Sequence, residues 1–167
     1  MDRDRELLLH FLAAIAYRTQ KALRGAPAGF PDFTPGLQIR TPASILRHMT
    51  SLMGQARTLF VGGSYPPVPD ALPSFDQEIA RFHGALEALG EIFKSDIPLR
   101  EISTEQLLQG PLADTLTHVG QLAMLRRLAG SPIAPENFIY ADIRPDRLGV
   151  LQAPPERPAA HWPERLA

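Results

Sequence analysis

Three features of the sequence predict an all-α protein: a four-helix bundle with a short extra helix and an extended C-terminal tail. Prolines gather at residues 25–42, 62–73, 98–111 and 130–163 and leave long proline-free stretches between them. Proline removes a helix donor and clashes with the preceding turn, so helices run in the gaps. Within the gaps apolar residues recur by threes and fours, the helical period. No stretch shows period-2 alternation bounded by hairpin turns; Ile139 to Ile143 comes nearest and is too short to found a sheet.

The first helix occupies Arg3 to Arg24, with Leu8, Phe11, Leu12, Ile15, Ala22 and Leu23 on its stripe and Gly25 and Pro27 as the stop. The second opens at Thr41-Pro42, an N-cap followed by proline at the first helical position. Its stripe is Ile45, Met49, Leu52, Ala56, Leu59 and Phe60, ending at Gly62-Gly63. The third opens at Ser74 with Gln77 at capping-box spacing. It carries Phe75, Ile79, Phe82, Leu86, Leu89 and Phe93, closed by Asp96 and Pro98. Ser103 to Gln109 reads as a short capped helix broken at Gly110-Pro111. The fourth long helix runs from Pro111 to about Ala129, where Gly130 serves as the C-terminal cap. The last residues, with prolines at 154, 155, 158 and 163, read as an extended tail.

Composition bounds the function. The 167 residues fit one ordinary domain, and 44% hydrophobic with 21% charged residues argues against wholesale disorder. Without cysteine the chain forms no disulfide, thiolate zinc site, iron–sulfur cluster or cysteine nucleophile. A net charge of −1 predicts no nucleic-acid or acidic-membrane partner. No apolar run approaches the ~20 residues of a membrane span. The charged start MDRDRE lacks a signal-peptide core, so a soluble cytoplasmic protein is expected.

The informative polar residues are those on helix faces that should be apolar. His48 lies between Ile45 and Leu52 among the core positions of the second helix. Asp114 and His118 are four apart on the fourth long helix and point the same way, and Gln121 extends that line. Two imidazoles and a carboxylate suit a divalent first-row metal such as zinc, nickel, iron or manganese. Three protein ligands would leave positions open for water or substrate, with Gln121 orienting one ligand through its second nitrogen. The same residues also fit a plainer reading. Asp114 in a first helical turn is favoured by the helix dipole, Asp114–His118 is an i,i+4 pair, and His48 can be a satisfied core histidine. Among the other histidines, His10 reads as a hydrogen-bonded core residue and His83 as a surface partner of Glu87, while His161 carries no inferable role. Arg126-Arg127 complement the helix dipole, with a substrate-carboxylate role as the alternative. Phe30 and Phe33 anchor the long 25–41 loop. Asn137, Phe138 and Tyr140 either line the pocket or pack the tail onto the domain.

The string Arg40-Thr41-Pro42 with Leu46-Arg47-His48-Met49, and later Leu116-Thr117-His118-Val119-Gly120-Gln121-Leu122 with Leu125-Arg126, resembles the DinB/YfiT-like family across roughly residues 5 to 145. In that family one histidine comes from the second helix and two from the last bundle helix in an H-x-x-x-H arrangement, commonly followed by Gly-Gln. This chain keeps His48, His118 and Gly120-Gln121, and departs at Asp114, where the family has histidine. The resemblance implies a DinB-like domain over 1–149, with helices up-down-down-up, and a Pro-rich tail over 150–167. It also implies a homodimer and a divalent metal held by His48, Asp114 and His118. Family members of known activity are mostly metal-dependent transferases or isomerases that use a low-molecular-weight thiol. The expected chemistry is therefore attack of such a thiol on a small electrophile. A non-catalytic helical dimer with a degenerate site and metal-assisted hydrolysis are the alternatives.

Overall fold

A computed structural model describes residues 2–156. It is all-helical, with four long helices and no strand among the described residues. Helix α1 (Arg3–Leu23) starts where the Asp2 side chain accepts from the Arg5 amide, and Asp4 and Glu6 complement the dipole of its first turn. Helix α2 (Pro42–Val61) starts as expected, with Thr41 accepting from the Ser44 amide and Pro42 in the first turn. Helix α3 (Phe75–Lys94) is capped by Ser74, which accepts from the Gln77 amide.

The short helix α4 (Thr104–Leu107) has a full capping box, Ser103 and Gln106 each satisfying the other's amide. The expected break at Gly110-Pro111 takes a different form. The chain continues through a wide π-helical turn at Leu108–Leu112 into α5 (Ala113–Leu128), with Gly110 bent out of helical geometry at ψ −108°. Pro111 has no amide hydrogen to donate, so a widened turn here loses little. Gly130 ends α5 at φ +71°, and the Ser131 amide reaches back to the Arg126 carbonyl at 3.0 Å, a Schellman closure.

Helices α1 and α2 each pack against both α3 and α5. One core fills the space between them: Leu12 and Ile15 from α1, Leu46, Met49 and Met53 from α2, Phe82, Leu86 and Phe93 from α3, and Leu122 from α5 are all fully buried. Each such side chain withdrawn from water contributes about 2 kcal/mol.

Polar side chains then tie the helix ends to the loops. Glu78 is buried, pairs with Arg47 and Arg81, and accepts from the Leu72 amide, fixing the connection before α3. Glu136 accepts from Tyr17 Oη at 2.7 Å and Lys21 Nζ at 2.8 Å, fixing the segment after α5 onto α1. Burial, followed by the Glu136 carboxylate, raises the Tyr17 pKa, so the phenol stays protonated as the donor of that pair.

Two expectations for histidines reverse. His10 is exposed on the outer side of α1, about 200° around the helix from buried Leu8, and not in the core. His83 is 1% exposed, and its Nδ1 lies 2.7 Å from the Leu148 carbonyl and its Nε2 3.2 Å from Gln20 Nε2. It forms no pair with Glu87. The cover comes from the returning chain, since Leu148 also packs where a Cβ on Gly90 would lie 2.3 Å from its Cδ1. The proline-rich tail can be followed to Glu156; His161 lies outside the described residues.

Candidate metal centre

The second turn of α2 and the first two turns of α5 face one another. His48 sits between the buried Leu46 and Met49 and so turns away from the core, its side chain 28% exposed. From α5, Asp114 and His118 project together, as their four-residue spacing dictates. His118 is 10% exposed and Asp114 47%.

The three side chains converge. One ligand atom from each lies within 4.8 Å of the others, and no other trio of histidine and carboxylate groups among the described residues does so. His118 Nε2 is 3.5 Å from Asp114 Oδ1, and His48 Nε2 is 3.9 Å from Asp114 Oδ2. The two imidazole rings meet edge to face, with centroids 4.8 Å apart and planes at 87°. Donors held 2.0–2.1 Å from a tetrahedral ion stand about 3.3 Å apart, so a small rotation of each side chain would close the set around one cation. The donor chemistry also fits, because nitrogen and carboxylate oxygen serve the same first-row divalent ions.

Gln121 lies beside His118. Its Oε1 lies 2.8 Å from His118 Nδ1. An amide oxygen only accepts, so the proton belongs on Nδ1 and the Nε2 lone pair points to the cluster. His48 is held neutral by a different route. Burial lowers its pKa first, with Arg40 and His118 adding to the effect and Asp114 opposing it. The unprotonated form is the one that ligates a metal.

The cluster is open on two flanks. A cavity of about 880 Å³ reaches Asp114 from the side of Leu52, Gln55, Leu59, Gly110 and Thr117. A cleft of about 470 Å³ reaches His118 and Gln121 from the side of Ile39, Arg40, Ile45 and Met124. The arrangement is a three-donor cap with access from both directions.

The other candidates lie elsewhere. Arg126 is 4% exposed and its guanidinium donates to the carbonyls of Ala22, Arg24, Gly25 and Ser131, so it closes the C-terminal end of α1 and is unavailable to a substrate. Phe30 is buried beneath Arg126 and against Phe75, and Phe33 packs on the core, as loop anchors. Asn137 caps a 3₁₀ turn, and Phe138 lies on α1 beneath Arg18 and beside Tyr17. That places Phe138 away from the His48 cluster, and Tyr140 is half exposed. The residue overlooked in the sequence is Arg40, whose charge reaches His48. Its position immediately before the Thr41 cap was the available signal.

Fold and site together define an all-helical protein with an open two-histidine, one-carboxylate cluster. No family model, curated protein or solved structure matches the chain at significance.

Proposed function

We propose that this chain is a DinB/YfiT-like metal-binding protein and that His48, Asp114 and His118 hold one divalent ion for transfer of a small thiol to an electrophile. The observation that carries the reading is the convergence of the three donors, from helices separated by more than 50 residues, onto an accessible cleft.

The up-down-down-up order belongs to this proposal and is supported by individual contacts. Arg5 reaches the carbonyls of Ile92, Ser95 and Ile97, and Gln20 reaches His83, which suits α1 antiparallel to α3. Arg47–Glu78 and Phe60–Phe93 suit α2 parallel to α3, and Arg126–Ala22 suits α5 parallel to α1. A domain spanning 1–149, a separate tail over 150–167 and assembly as a homodimer complete the reading.

A bound divalent ion would favour the thiolate form of a coordinated thiol and so supply the nucleophile that this cysteine-free chain lacks. The chain's own residues prepare the rest. Gln121 fixes the tautomer of His118, and burial keeps His48 neutral. Asp114 contributes an anionic oxygen where the resemblance expects imidazole, which makes the donor set more negative and shifts preference toward harder ions. The flanking cavities give thiol and electrophile separate approaches to one point.

Elemental analysis of protein purified without added metal tests the ion directly. About one equivalent per chain is expected, lost in His118→Ala. Turnover of a thiol panel with a chromogenic electrophile, with and without chelator, tests the chemistry. Metal-free protein would reject the ion, turnover indifferent to chelator would reject metal-dependent transfer, and absent turnover would leave the non-catalytic helical dimer.

A further inference from the structure

The two openings onto the cluster differ in charge. The larger one includes Asp114 in its wall. The cleft on the other side has no carboxylate in its lining, and its one charged side chain is Arg40. Arg40 is exposed and makes no ion pair or side-chain hydrogen bond among the described residues. The remaining wall is mostly apolar, with Gln38, His118 and Gln121 as its uncharged polar members. Ile45 and Leu125 form the buried floor, while Ile39, Met124 and Leu128 stand 47%, 56% and 54% exposed around it. Apart from the His118 imidazole, no aromatic ring lines it. The stripe from His118 to Leu128 runs about 15 Å along α5. The residue before Ile39, Gln38, sits at φ +63°, a left-handed conformation uncommon for a side chain of its kind, in the loop that brings Ile39 and Arg40 to the cleft.

We infer that this cleft binds a medium-chain aliphatic carboxylate, its anion paired with Arg40 and its chain laid along Ile39, Met124 and Leu128. A guanidinium pairs a carboxylate through two parallel hydrogen bonds, and an unpartnered one at the mouth of an apolar groove is complementary to an anion with an apolar body. The volume matches that of small-molecule pockets. Asp114 repels the same anion from the opposite flank, so the two openings sort ligands by charge. The cleft carries this assignment with its own residues and needs no bound metal.

Calorimetric titration of the full chain with octanoate, both as purified and after chelation, is the test. Octanoate is expected to bind in both states, more tightly than octanol, which has the same chain length without the charge. Arg40→Gln should weaken octanoate roughly tenfold or more and leave octanol unchanged. Met124→Glu, which places a like charge in the groove, should weaken octanoate as well. Octanoate binding by protein that elemental analysis finds metal-free as purified would support the cleft while rejecting the metal centre, so the two readings fail separately. Equal affinity for octanol and octanoate, indifference to Arg40→Gln, or no binding at millimolar ligand would overturn the inference. So would self-association through this face that Met124→Glu abolishes while octanoate fails to bind, since the groove would then be a contact between copies of the chain.

Discussion

Two regions of this molecule use the same residue types to opposite ends. Around the C-terminal half of α1, where α3 and α5 meet it, histidine and arginine are sealed in and engaged. Both ring nitrogens of His83 have neighbours within 3.2 Å, and Arg126 donates to carbonyls on two segments. Between α2 and α5, histidine and arginine are left open. His118 spends one nitrogen on Gln121 and turns the other to Asp114, and Arg40 has no partner among the described residues. The difference separates groups that build the fold from groups that could hold a ligand, which is the role proposed for them. Substitutions in the first region should cost stability alone. Substitutions in the second should cost ligand binding and leave the ligand-free protein nearly as stable.

The largest effect is expected at Arg126. Replacement by methionine keeps much of the side-chain volume but strands the buried Ala22 carbonyl and three part-buried ones, at a cost of about 3 kcal/mol and a fall in Tm on the order of 10 °C, read by circular dichroism. Next comes the metal. Saturation at a hundredfold excess over Kd stabilises by about 2.7 kcal/mol. Wild-type Tm should therefore drop on chelation, whereas His48→Ala and His118→Ala should start near the chelated value and not respond. A chelator response surviving in both variants would erase the distinction between the regions.

How far the sequence foretold all this follows from how local each feature is. Helix limits were legible because caps are local: Thr41-Pro42, Ser74 with Gln77, Ser103 with Gln106, and Gly130 each act within a few residues. Asp114, His118 and Gln121 were legible for the same reason, since one helix face joins them. The histidines that misled were decided by distant chain. His83 reads as a surface residue on α3 because nothing near it in sequence reveals that Leu148, 65 residues on, covers it. His10 sits amid leucines yet points outward, because composition does not set the angle around a helix. Arg126 looked like a dipole cation until its acceptors, about 100 residues upstream, were in view.

His83 supplies the two smaller tests. His83→Ala removes two buried contacts and should cost about 2 kcal/mol in urea denaturation, with metal content unchanged. Gly90→Ala, which displaces Leu148, should act in the same direction. The smallest effect is on pH. Burial holds the His83 pKa below its ordinary 6.5, with the Leu148 carbonyl opposing weakly. The unfolded chain therefore takes up the proton first, so the contribution of His83 is complete above pH 6.5 and is lost as pH falls through the depressed folded value. Wild type should lose more stability between pH 7.5 and 5.5 than His83→Gln does. Equal losses would remove His83 as the source.

The reach of Arg126 has a consequence for biogenesis. On the ribosome α1 emerges some hundred residues ahead of the guanidinium that terminates it, so its C-terminal carbonyls stay in water until α5 has been translated. A long-range closure of this kind ties completion of the amino-terminal helix to synthesis of α5, and it slows the search relative to helical proteins that close through neighbours.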